Sequence, residues 1–178
     1  MKTGNNILNS DQIKYAIGYL EKDLPIILPT DTIYGLSLKY NLNNVTKINR
    51  IKSSNESKKL IVLISKVSQI RDLGVEVNLK QISILKSSNR PTTLLLKTKN
   101  EEMIGFRIPK RRDLKLIIDK VGPIISTSVN ISGRKFLSNY DELLAFKEEK
   151  NINEIFWVGT LNNKPSIILD PELNIIRD

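Results

Sequence analysis

Two strand-like runs, at about 92–97 and 103–108, follow one another with no helical pattern between them. Consecutive strands argue against a purely parallel, doubly wound sheet. Elsewhere strands and helices alternate. Ile13, Ala16, Ile17 and Leu20 fall on one helical face, with Ser10 in front of them as the expected N-cap. Val45, Ile48 and Ile51 repeat the pattern in a second helix, which should carry Lys52 at its C-terminal end. Further helices are expected at about 79–87, 113–120 and 139–148, with strands near 25–28, 60–64, 123–126, 155–158 and 166–169. No composition break, repeat or linker divides the 178 residues, so one α/β domain spanning 1–178 is expected.

The absences narrow the chemistry. There is no cysteine, which excludes a disulfide framework and a thiolate metal site, and no histidine, which excludes a Ser-His-Asp triad or a His-ligated zinc. Any catalysis must then rest on positioning, cations and hydroxyls. No long apolar run or signal-like N-terminus appears, so the expected setting is cytoplasmic, with no membrane association. A formal charge of +9 implies an anionic partner, with nucleotide phosphates and tRNA both qualifying, although a solvated lysine-rich surface accounts equally well for most individual lysines. The few aromatic residues form no RNA-binding signature.

Four polar segments punctuate the apolar runs. The chemically densest, Ile125-Ser-Thr-Ser-Val-Asn-Ile-Ser-Gly133, gathers hydroxyls and a carboxamide directly after the strand-like Gly122-Pro-Ile-Ile125, a pattern that suits an oxyanion or phosphate and also an ordinary capped turn. Leu28-Pro-Thr-Asp-Thr-Ile-Tyr-Gly-Leu36 follows another apolar run, and its glycine could let a ligand approach the backbone closely. Between them lie Lys52, Lys58 and Lys59 around a Ser-rich stretch, and Gly105-Phe-Arg107-Ile-Pro109, one arginine on a strand closed by proline.

In that order the motifs read Pro-Thr-Asp-Thr-x-Tyr-Gly, Lys-x-x-x-x-x-Lys-x-Leu, Arg-x-Pro and Ser-Thr-Ser-x-Asn-x-Ser-Gly. The chain thereby resembles the YrdC family of threonylcarbamoyl-AMP synthases from about Gly18 to Arg177. The resemblance implies a single twisted mixed sheet flanked by helices, with a large basic concave cleft. It also implies a nucleotidyltransferase reaction that joins L-threonine, bicarbonate and ATP, with Mg²⁺ on the triphosphate and no metal held by the protein, to give threonylcarbamoyl-AMP and pyrophosphate. The product serves N6-threonylcarbamoyladenosine (t6A) formation beside the tRNA anticodon through a separate downstream transferase complex.

The same resemblance assigns roles position by position. Thr32 matches a threonine that contacts substrate threonine, with Thr30 and Tyr34 on the same wall. Lys52 matches the lysine of a Lys-x-Arg motif, and Ser128 and Asn130 match the Ser-x-Asn pair facing it, the three forming the candidate catalytic set. Ser126 falls where backbone groups grip the ligands, Arg107 where a forked guanidinium meets the amino-acid carboxylate, and Ser166 within a Pro-Ser-x-x-x-Asp pattern of the threonine site. The nucleotide would draw on Lys52, Ser54, Lys58, Ser128, Asn130 and Arg177. Each residue taken singly has a plainer reading: a turn cap for Thr30 and Thr32, a solvated helix end for Lys52, a buried ion pair for Arg107 and a tail residue for Arg177.

Two positions depart from the family pattern. Ser54 stands at the arginine of Lys-x-Arg, and Asn89-Arg90 replace Pro-Gly in Pro-Gly-Pro-x-Thr. Arg90 would compensate for the missing cation if it points into the cleft. The alternative is a non-catalytic RNA- or nucleotide-binding paralogue on the same fold. The length predicts that the extra C-terminal domain of longer relatives is absent.

Overall fold

Asn9, rather than Ser10, caps the first helix, because its carboxamide accepts from the Gln12 amide at 2.9 Å while Gln12 returns a bond to the Asn9 amide at 3.0 Å. Ser10 is therefore the first helical residue. The same reciprocal box, built from Asn78 and Gln81, opens a later helix.

The computed structural model describes residues 7–52, 60–130 and 135–178. Its helices are α1 (Ser10–Glu21), α2 (Leu42–Lys52), α3 (Ser68–Asp72), α4 (Leu79–Ser87), α5 (Arg112–Val121) and α6 (Tyr140–Glu149). The strands are β1 (Ile26–Pro29), β2 (Tyr34–Lys39), β3 (Ile61–Leu63), β4 (Thr92–Lys97), β5 (Met103–Arg107), β6 (Ile124–Ser128), β7 (Glu154–Ile155), β8 (Ile167–Leu169) and β9 (Ile175–Arg177). They form one mixed sheet in the order β7-β1-β2-β6-β3-β5-β4-β8-β9.

The pairing bears out the argument from consecutive strands: β4 and β5 are antiparallel, joined by a short connection, whereas β3 lies parallel to β5 and β4 to β8. Sequence patterning did not mark β2, α3 or β9. In β2, Gly35 and Ser37 interrupt the apolar alternation, yet the strand is buried over its first five positions because it lies between β1 and β6. The strand expected at 155–158 is limited to the two residues of β7, since Trp157 to Gly159 leave the sheet to meet Tyr34.

Three apolar clusters hold the helices on the sheet. α1, α5 and α6 bury Ala16, Leu20, Leu114, Ile117, Ile118, Leu143 and Phe146 with β1 residues such as Ile26 and Leu28. Ile70 and Leu85 of α3 and α4 join Leu94, Leu96 and Phe106, while Ile48 of α2 packs on Leu38 and Ile125. At about 25 cal/mol per Å² of apolar surface, such burial supplies the dominant favourable term in folding. Its consequence here is positional: α2 is seated against β2 and β6, so its last residue, Lys52, lies beside the end of β6.

Candidate functional site

The β1–β2 connection is a four-residue turn organised by one hydroxyl. Thr30 Oγ1 donates to the Ile33 carbonyl at 2.7 Å and accepts from the amides of Thr32 and Ile33 at 3.1 and 3.2 Å. The hydroxyl of Thr30 is thus consumed by the turn, the local side-chain-to-backbone competition typical of threonine. Thr32 Oγ1 lies 2.9 Å from Thr30 Oγ1 and accepts from Arg107 Nη1 at 3.3 Å. Arg107, at the end of β5, is 5% exposed and forms an ion pair with Asp31 at 3.2 Å. Burial lowers the affinity of its guanidinium for the proton, the Asp31 carboxylate raises it, and a second cation, Arg177, lowers it again. An arginine stays protonated through such shifts, so the end of this cleft keeps its charge.

Lys52, at the end of α2, reaches the end of β6. Its Nζ donates to the Ser128 carbonyl at 2.6 Å and to Asn130 Oδ1, which also accepts from Ser128 Oγ at 3.0 Å. The lysine is not a solvated helix end; it ties α2 to the polar end of β6. Beside it, Ser126 lies against Gly35, where an added Cβ would come within 2.1 Å of Ser126 Oγ. The glycine therefore makes room for a side chain of the neighbouring strand pair.

A cleft of about 690 Å³ joins these groups. Its lining includes Thr30, Thr32, Tyr34, Lys52, Arg107, Ser126, Ser128, Asn130, Ser166 and Arg177, so every expected site residue within the described chain borders one space. Ser54 and Lys58 lie outside the described residues. Ser166 shares a 2.8 Å hydrogen bond with buried Thr93, and Arg177 donates to the Ser166 carbonyl at 2.8 Å. Tyr34 presents its ring: the hydroxyl donates to the Gly159 carbonyl at 2.6 Å and accepts from the Val158 amide at 3.1 Å, while the ring stacks on Trp157. Burial pushes the Tyr34 hydroxyl up to about 12.

Arg90 does not point into this cleft. Its guanidinium, about half exposed, pairs with Asp178, and Arg90 is not among the residues that line the cleft. Sequence reasoning also passed over Asp31 and Thr93. Asp31 stood inside the Pro-Thr-Asp-Thr run, but its partner lies in a different strand far along the chain, and only the fold brings the two together.

Among the described residues no group of three or more Asp, Glu, His or Cys could hold a metal ion, and no helix is long and apolar enough to cross a membrane.

Residues 18–178 match the family model Sua5/YciO/YrdC, described as "Telomere recombination". The chain is 30% identical over 151 residues to the threonylcarbamoyl-AMP synthase of Buchnera aphidicola subsp. Baizongia pistaciae, covering 77% of this chain and 81% of that one. It is 25% identical over 171 residues to Escherichia coli YciO, covering 89% and 82%. The solved structure of E. coli YciO superposes with a TM-score of 0.80 at 23% identity, over 96% of this chain and 90% of that one. P. abyssi Sua5 complexed with L-threonine also gives 0.80, at 22% identity over 92% of this chain. The chain spans about half of that larger protein, 52%.

Proposed function

The chain belongs to the Sua5/YciO/YrdC family, and from that premise we propose that it is an L-threonylcarbamoyladenylate synthase acting in the cytoplasm on the route to t6A in tRNA. The observation that carries this reading is the joint placement of two groups in one cleft: Lys52 bridged to Ser128 and Asn130 on one side, Arg107 with Thr32 on the other. The synthase name of the Buchnera relative supports it.

In this reading Arg107 and Thr32 receive the carboxylate and hydroxyl of L-threonine, with Ser126 and Ser166 completing the wall. The amine condenses with bicarbonate, losing water, to give a carbamate. A carbamate oxygen then attacks the α-phosphorus of ATP, the α–β phosphoanhydride bond breaks and pyrophosphate departs. Lys52 would leave its contacts with Ser128 and Asn130 to neutralise charge building on the phosphoryl oxygens, while those two groups donate and accept around the transferring centre. Mg²⁺ would arrive on the triphosphate, held by its oxygens. No protein nucleophile is required, which agrees with a site made of hydroxyls, an amide and cations.

A second reading, a nucleotide- or RNA-binding paralogue without this activity, is favoured by two particular observations: Ser54 at the motif arginine and the kinship with YciO. Pyrophosphate release from ATP separates them. Release that requires both L-threonine and bicarbonate supports the synthase; nucleotide binding without release supports the paralogue. Passage of the adenylate to a transferase complex on tRNA would follow as a later step.

A further inference from the structure

The side chain of Asp31 is only 7% exposed, yet Asp31 does not line the cleft. One oxygen, Oδ2, accepts from the Lys110 amide at 3.1 Å, which fixes the carboxylate to the backbone just beyond the Arg-x-Pro segment. The other, Oδ1, lies 3.2 Å from Arg107 Nη2 without the alignment of a hydrogen bond. The opposite tine of the same guanidinium, Nη1, reaches Thr32 at 3.3 Å. Arg107 Nε is buried with no hydrogen-bond partner among the described residues. Each tine therefore makes one contact with the 30–33 turn and keeps a second hydrogen for the cleft that Arg107 lines.

We infer that Asp31 is a positioning residue: it never touches the amino acid, and it aims the Arg107 fork into the cleft. The inference rests on the assignment of Arg107 to the threonine carboxylate. Its charge and its positioning act in opposite directions on binding. Removing the carboxylate's charge alone would strengthen the positive field seen by an anionic ligand and tighten binding. Removing the brace lets a buried guanidinium turn away from its productive orientation and weakens binding. Geometry decides for the second effect, because a planar fork serves a carboxylate only when both tines face it.

The test titrates L-threonine and ATP separately into the full chain, following heat or the fluorescence of Trp157, the sole tryptophan, which stacks on the cleft residue Tyr34. Asp31→Asn keeps an acceptor for the Lys110 amide and removes the charge. Threonine affinity should fall about tenfold or more, the scale of a misplaced binding group, while ATP affinity stays unchanged. Asp31→Asn should add nothing to the loss already caused by Arg107→Lys. Tighter threonine binding, unchanged threonine binding, equal weakening of ATP, or full additivity with Arg107→Lys would each overturn the inference. If Asp31→Asn does not fold, Asp31→Glu, which retains the charge and shifts the carboxylate by one methylene, should show the same split between threonine and ATP; no split overturns the inference. Failure of the wild-type chain to bind threonine would overturn the synthase reading together with this one.

Discussion

Replacing Gly35 with alanine probes the tightest contact in the site. The new Cβ would lie 2.1 Å from Ser126 Oγ, while Ser126 Cβ and Thr30 Cγ2 remain at an ordinary 3.5 Å. One atom must move, and it is the end of a serine side chain. Rotating it away gives up the long 3.4 Å bond from Ser37 and leaves the hydroxyl misdirected in a buried setting. Overpacking of this kind costs about 1–3 kcal/mol, and alanine in place of glycine in a strand returns about 0.5–1 kcal/mol of chain entropy. The net loss is at most about 2.5 kcal/mol, which lowers Tm by up to about 10 °C in a chain of this size. Threonine affinity should fall by up to about tenfold, the equivalent of one neutral hydrogen bond. Thermal melts and calorimetric titration read both quantities. The decisive control is Ser126→Ala, in which the offending oxygen is gone and Gly35→Ala should cost almost nothing. An equal cost in both backgrounds would refute the argument, because the clash would then not be with Ser126.

Other perturbations follow from the same geometry. Lys52→Ala should abolish pyrophosphate release and also cost about 1–3 kcal/mol of stability, since it leaves the Ser128 carbonyl and Asn130 without their shared donor; full stability in a denaturant melt would show that the bridge contributes nothing to the fold. Tyr34→Phe should destabilise the chain by a similar amount, about 1–3 kcal/mol, through the stranded Gly159 and Val158 groups, while threonine binding persists because the ring still stacks on Trp157. The Tyr34 hydroxyl titrates at about 12 when folded against 10.0 as its ordinary value, so its stabilising effect is complete below pH 10 and is lost as pH rises to 12. Wild-type Tm should therefore fall across that window more steeply than the Tm of Tyr34→Phe, and identical slopes would contradict the assignment. Arg90→Ala should leave ATP affinity unchanged and cost no more than an exposed ion pair, about 0–1 kcal/mol; a marked loss of ATP binding would return Arg90 to the nucleotide site.

Much of the fold's framework could be read from periodicity because its elements obey simple rules. The apolar faces of α1, α2 and α5, the leucine run of β4 and the antiparallel neighbour β5 all stand out in the sequence. β2 did not, because Gly35 leaves room for Ser126 on the neighbouring strand β6, and that reason lies in another part of the chain. The candidate residues were legible as motifs, but their division of labour was not. Thr30 and Tyr34 spend their hydroxyls on a turn and on the 158–159 backbone, whereas Asp31, silent in sequence, braces the arginine. Arg90 shows the limit from the other side: a loop adjoining a site in sequence can still direct its cation elsewhere.

The synthase reading is tested most directly by following isotopically labelled bicarbonate in the presence of ATP, Mg²⁺ and L-threonine. The label should appear in an adenylate with the mass of threonylcarbamoyl-AMP, in step with pyrophosphate release, and it should vanish when threonine is omitted or Lys52 is replaced by alanine. An unlabelled adenylate, or no adenylate from a chain that binds ATP and threonine, would contradict the proposed function.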